Sequence, residues 1–114
     1  ALQLLAEMHS NKISGDRIAY SATISACAKG GQWRWALQLM QDMKSRGVSP
    51  DTITCNAAIT ACEKGGQWQT ALQLLGYMKQ NAIPESTITY NAAISACEKG
   101  GQWKRALQLL EAMQ

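Results

Sequence analysis

Three sets of side chains recur at one spacing along the chain. Ile18, Ile53 and Ile88 form the first, Ser21, Asn56 and Asn91 the second, and Lys29, Lys64 and Lys99 the third. The offset within each set is 35 residues (53 − 18 = 35 and 88 − 53 = 35). Within one copy the isoleucine, the small polar residue and the lysine lie at i, i+3 and i+11, with Ser25, Thr60 or Ser95 at i+7. On a helix of about 3.6 residues per turn these positions share one stripe. Each row has an ordinary structural explanation. Isoleucine can staple the start of a helix, Asn and Ser suit its N-terminal end, and lysine suits its C-terminus. The combination on one face offers more. Apolar, hydrogen-bonding and cationic rows match the flat base faces, base edges and phosphates of a single-stranded nucleic acid.

Little else in the chain suits chemistry. His9 is the only histidine, and there is no Ser-His-Asp set, no acidic pair with metal-site spacing and no glycine motif that cradles phosphate. Cys27, Cys62 and Cys97 occupy one place in each copy. Stacked helices lie about 8–10 Å apart, while a disulfide needs Cα atoms within about 7 Å, so this ladder is poorly placed for bridging. No Cys-x-x-Cys occurs. The cysteines are expected to be small buried apolar side chains in a reducing compartment. No catalytic residue, metal, cofactor or small-molecule substrate is expected.

The net charge of +3 permits an anionic partner without demanding one. No apolar run is long enough to span a membrane and no signal-peptide pattern appears. The first residue is Ala1, and the chain is expected to be part of a longer one.

The elements that hold the three rows are also periodic. Asn56 to Trp68 returns almost letter for letter at Asn91 to Trp103, and more loosely at Ser21 to Trp33. A fixed period of this length marks a stacked array of helical repeats. Ala1-Leu2-Gln3-Leu4-Leu5 recurs at 71–75 and 106–110, so residues 1–16 should be the second half of a repeat. Repeat one then covers 17–51, repeat two 52–86, and a partial repeat three 87–114.

Each repeat contains two amphipathic stretches. Cys55, Ala58, Ile59 and Cys62 lie at i, i+3, i+4 and i+7, a helix face. Gly65-Gly66 should end that helix. Trp68, Ala71, Leu72, Leu75 and Met78 form the stripe of a second helix, with the tryptophans at 33, 68 and 103 expected in the core. Pro50-Asp51 and Pro84-Glu85 punctuate the joins. The expected fold is all-α: a right-handed α-solenoid of stacked helix-turn-helix repeats, first helices lining the concave side. Seven helices are expected, near 1–11, 18–29, 32–45, 53–64, 67–80, 88–99 and 102–113.

Thr52-Ile53-Thr54-Cys55-Asn56-Ala57-Ala58-Ile59 and Thr87-Ile88-Thr89-Tyr90-Asn91-Ala92-Ala93-Ile94, each followed by Lys-Gly-Gly-Gln-Trp and Ala-Leu-Gln-Leu-Leu, resemble pentatricopeptide repeats over the whole chain. Tetratricopeptide repeats differ in period, about 34 residues, and in their Trp-Leu-Gly-Tyr first helix. The resemblance implies sequence-specific binding of single-stranded RNA, one base per repeat, in organellar RNA processing, stability or translation. It implies a mitochondrial or plastid location. It assigns base reading to the fifth and last residues of each repeat: Ser21 with Asp51, Asn56 with Ser86, Asn91 without a partner in the chain, and Asp16 from the preceding partial repeat. It assigns base sandwiching to Ile18, Ile53 and Ile88, and phosphate contact to Lys29, Lys64 and Lys99. Ser86 stands where Asp or Asn is commoner, Pro84 lies one position earlier than Pro50, and Cys55 replaces the aromatic of Tyr20 and Tyr90.

Side-chain chemistry adds a base choice. An ionised Asp51 only accepts, which suits the imino N–H of G or U, and the small Ser21 leaves room for a purine. Repeat one should therefore take G. Asn56 is larger and should favour a pyrimidine, and Ser86 can donate as well as accept, which makes C acceptable; the family resemblance leans the same way, so C is expected ahead of U. The alternative function is a scaffold that binds protein partners on the same concave surface.

Overall fold

The computed structural model describes residues 17–113, which form six α-helices and no strand. They are α1 (Arg17–Lys29), α2 (Trp33–Ser45), α3 (Thr52–Lys64), α4 (Trp68–Gln80), α5 (Thr87–Lys99) and α6 (Trp103–Met113). The helix expected near 1–11, and Asp16, lie outside the described residues. Every other expected helix is present, its start displaced by one residue. The cause is local. Asp51 and Ser86 are the N-caps of α3 and α5, which makes Thr52 and Thr87 their first helical residues. Gln32 and Gln67 precede α2 and α4 without a side-chain capping bond, so those helices begin at the tryptophan.

The helices form an all-α solenoid measuring 45 × 27 × 18 Å. First helices α1, α3 and α5 pack directly on one another along its length, and second helices make no comparable contact among themselves. The tighter layer is the inner one, so the free face of α1, α3 and α5 lines the concave side.

Small side chains make this close layer. Cys27 and Ala28 on α1, Ala58, Ala61 and Cys62 on α3, and Ala93, Ala96 and Cys97 on α5 are all buried. The second helices close the core with Ala36, Leu39, Met40 and Met43, then Ala71, Leu74, Leu75 and Met78. The expected α4 stripe is turned slightly: Leu74 is buried where Leu72 is only half-buried. All four cysteines are buried free thiols. Burial pushes Cys55 and Cys62 up to about 11, so neither carries thiolate at neutral pH.

Volume is exchanged between the two helices of a repeat. In repeat one the buried Tyr20 donates its hydroxyl to Asp42 on α2. Burial, then the hydrogen bond and charge of Asp42, push that phenol up to about 12. In repeat two the first helix has only Cys55, and the position equivalent to Asp42 (42 + 35 = 77) carries Tyr77. The aromatic has moved to the partner helix, where Lys44 of the preceding repeat sits 3.8 Å over its ring.

The tryptophan row is not deep core. Trp33 and Trp68 are half-buried, and Trp103 is exposed. Their partner is the glycine pair of the next repeat. A Cβ on Gly65 would lie 2.1 Å from Cδ1 of Trp33, and one on Gly100 would lie 2.2 Å from Cδ1 of Trp68. The two glycines of each pair thus do different work. Gly66 and Gly101 take left-handed φ values of 72° and 73°, which end the helix. Gly65 and Gly100 have φ near −85°, which any residue adopts, and are glycine because an indole rests on them. Trp103 is exposed because no described residue presents that surface to it. Gly100→Ala should therefore destabilise by about 1–3 kcal/mol through overpacking. The same change in a Trp68→Ala background should cost little, whereas Gly101→Ala should cost about 1–2 kcal/mol in either background. Denaturant melts of the double-mutant cycle check this, and equal Gly100→Ala costs in both backgrounds would contradict it.

Candidate nucleic-acid interface

The three rows fall on the concave face. Ile18, Ile53 and Ile88 are 77%, 66% and 63% exposed. A staple would be packed against the following turn, so that explanation does not hold. They are large apolar side chains held in solvent at the N-terminal turn of successive stacked helices. Adjacent helix axes lie about 8–10 Å apart, and an aromatic ring in van der Waals contact on both faces needs about 7–8 Å. Ile18 and Ile53 both border one cleft.

Between Ile18 and Ile53 the surface opens into a cleft of about 320 Å³ lined by Arg17, Ser21, Ala22, Ser25 and Asp51. Ser21 and Asp51 are brought together by a residue that the sequence reading did not single out. Thr54, fully buried, donates its hydroxyl to Asp51 Oδ1 at 2.8 Å and shares a 2.6 Å hydrogen bond with Ser21 Oγ. The Thr54 backbone N–H also donates to Asp51 Oδ1, at 3.0 Å, which is the N-cap bond of α3. Asp51 Oδ2 lies 4.0 Å from the Arg17 guanidinium. Burial pushes the Asp51 carboxyl up, but the two Thr54 hydrogen bonds and the Arg17 charge outweigh it and hold the group below its ordinary 3.8.

Repeat two repeats the construction with other atoms. Asn56 Nδ2 donates to Ser86 Oγ at 3.2 Å, and the buried Thr89 donates its hydroxyl to Asn56 Oδ1. Ser86 caps α5 in a reciprocal capping box with Thr89, whose Oγ1 accepts the Ser86 N–H at 3.0 Å. The fifth and last residues of a repeat are thus joined through the third residue of the next. Sequence offered one signal for this: Thr54 and Thr89 are 35 apart, with Ala19 in the equivalent place in repeat one. Asn91 is exposed, and among the described residues no last-position partner stands beside it.

The lysine row divides. Lys29, Lys64 and Lys99 are all exposed at the C-terminal ends of α1, α3 and α5. Lys99 is ion-paired with Glu63 of the preceding repeat. The residue equivalent to Glu63 in repeat one is Ala28 (63 − 35 = 28), so Lys64 has no acid across its junction. No group of three or more His, Cys, Asp or Glu among the described residues could hold a metal ion, and no described helix is long and apolar enough to cross a membrane.

Asp51 both caps α3 and faces the cleft, which makes its charge measurable through stability. Its folded pKa is depressed, so its contribution is complete above the ordinary carboxylate value and is lost as pH falls through the folded value. Asp51→Ala should cost about 0.5–2 kcal/mol at neutral pH, as for loss of an N-cap. The gap between wild type and variant should narrow below about pH 4, where aspartates begin to protonate. A gap that stays constant from pH 7 to pH 2 in thermal melts would contradict the network.

Residues 38–100 match the family described as pentatricopeptide repeat domain, and residues 18–48 and 88–114 match the PPR repeat. No match was found among curated protein sequences. Among solved structures the chain is similar to the crystal structure of the pentatricopeptide repeat protein PPR10 from maize, with 27% sequence identity and a TM-score of 0.85. That similarity covers 98% of this chain and 16% of the other, so the chain spans about a sixth of that relative's length. The 35-residue period, the paired helices and the matched residues agree: the chain belongs to the pentatricopeptide repeat family.

Proposed function

We propose that the concave face binds single-stranded RNA with sequence preference, one base to each junction between repeats. The observation that carries this reading is the cleft between Ile18 and Ile53, with Ser21 and Asp51 in its lining. Two exposed isoleucines border the cleft, and the polar groups beside them are fixed by Thr54 rather than free to swing. Exposed apolar side chains in a regular row point to a binding surface. The exposed Lys29 and Lys64 are the proposed phosphate contacts, with Lys99, here paired with Glu63, the third. An organellar RNA as the natural target follows from the family resemblance.

Base choice follows from the pairs. Ser21 with Asp51 takes G, and Asn56 with Ser86 takes a pyrimidine, C ahead of U, with the RNA running 5′ to 3′ along the repeats. Ser86→Asp should move repeat two from C towards U, and Ser21→Asn should move repeat one from G towards U. Each should change discrimination by about 1–3 kcal/mol, by analogy with base-edge readout in duplexes. The test is binding of single-stranded RNAs that differ at one base, with these repeats placed in a longer array. Unchanged base preference with affinity retained would remove the reading, and binding that resists nuclease and salt would favour a protein partner.

A further inference from the structure

We infer that the threonine at the third position of a repeat, Thr54 or Thr89, sets the hydrogen-bonding polarity of the base-reading pair before it, and is thereby a specificity determinant that never touches the base. This rests on the base-reading function proposed above and adds a mechanism to it.

The number of available hydrogens sets this polarity. An ionised Asp51 has none to give. The Thr54 hydroxyl has one, and it is committed to Asp51 Oδ1 at 2.8 Å. The 2.6 Å bond between Thr54 Oγ1 and Ser21 Oγ must then use the Ser21 hydrogen. Ser21 is left with lone pairs only, and Asp51 with the lone pairs of Oδ2. The pair therefore presents two acceptors to the cleft and no donor. Of the four RNA bases, guanine alone offers two adjacent donors on its pairing edge, an imino N–H and an amino group. Uracil offers one, and the acceptors of adenine and cytosine would meet acceptors, leaving buried polar groups unpaired.

In repeat two the same threonine position points the other way. The Thr89 hydroxyl donates to Asn56 Oδ1 and its oxygen accepts the Ser86 N–H. Ser86 Oγ accepts from Asn56 Nδ2 at 3.2 Å and from the Thr89 N–H at 3.4 Å. The carbonyl of Asn56 is engaged by Thr89. The Thr89 hydrogen being spent, the 3.2 Å bond between Ser86 Oγ and Thr89 Oγ1 uses the Ser86 hydrogen, and what remains for a ligand is the second N–H of Asn56, a donor, beside one lone pair of its carbonyl. Cytosine meets that donor with its ring nitrogen and the remaining lone pair with its amino group. Thr54 thus leaves an acceptor pair facing the cleft, and Thr89 leaves a donor on Asn56. One residue type serves both because a hydroxyl both gives and receives.

The threonine's full burial makes the orientation a property of the fold. In repeat one Ala19, which has no hydroxyl, stands at the equivalent position.

The test compares wild type, Thr54→Val, Thr54→Ser and Ser21→Asn in the 114-residue chain at low salt, where phosphate attraction is strongest. Fluorescein-labelled oligoribonucleotides that present G, A, C or U at the repeat-one position followed by C report affinity by anisotropy. The reading is the ratio of affinities for G and for A with one protein preparation, so a partly unfolded fraction cancels. Thr54→Val frees the Ser21 hydrogen, and the G-over-A ratio should fall by about three- to tenfold, the worth of one neutral hydrogen bond. Thr54→Ser keeps the hydroxyl and should keep the ratio. If Thr54→Val retains the wild-type ratio while Ser21→Asn alters it, base reading stands and the relay is overturned. Equal losses in Thr54→Val and Thr54→Ser would likewise overturn it, because packing rather than the hydroxyl would be responsible. A flat ratio in all four proteins removes both the relay and the base reading beneath it.

Discussion

The close approach of α1, α3 and α5 is the constraint on which the rest depends. It goes with a high share of small buried side chains on these helices: Cys27 and Ala28 on α1, Ala58, Ala61 and Cys62 on α3, and Ala93, Ala96 and Cys97 on α5. A bulkier row would push the helices apart and widen the gap between isoleucines. It would also part Ser21 from Thr54, and Asn56 from Ser86 and Thr89, since each bond bridges successive first helices. The second helices support this layer from behind. Trp33 and Trp68 lock each junction by lying on a bare glycine of the next repeat. Arg105 adds a cation 5.1 Å from the centre of the Trp68 ring.

Much of this was legible in the sequence because the period reveals equivalent positions. Three copies of one pattern fix helix ends to within one residue and place Ile53, Asn56, Thr60 and Lys64 on one stripe. Periodicity says less about which positions meet across a junction. Trp33 touches Gly65, 32 residues on; Ser21 bonds Thr54, 33 on; Asn56 bonds Ser86, 30 on; Glu63 pairs with Lys99, 36 on. These separations sit near the period without equalling it, because a contact between neighbouring repeats joins different positions within the unit. Thr54 escaped attention for this reason. In its own helix it is a first-turn residue bonded to the N-cap Asp51, and only the neighbouring helix supplies Ser21.

Trp33 and Trp68 do pack against the core, but periodicity did not reveal the glycine of the next repeat on which each rests. An aromatic at the edge of an apolar stripe belongs to the interface between units as readily as to the core of one. Trp68 lies about 60° around the helix from Ala71, taking about 100° per residue, far enough to leave the deep core and reach Gly100. The cysteines went as expected, since a small apolar side chain is what the first-helix contact requires.

The central claim is that Ile18, Ile53 and Ile88 hold bases between them. It is tested most directly by methyl NMR of the isoleucine-labelled chain titrated with a short single-stranded RNA. A base sandwiched between two isoleucines places its ring current on their methyls. The account predicts upfield shifts at Ile18, Ile53 and Ile88, with little change at the fully buried Ile24 and Ile59. RNA that binds while the three exposed methyls stay unshifted would contradict it.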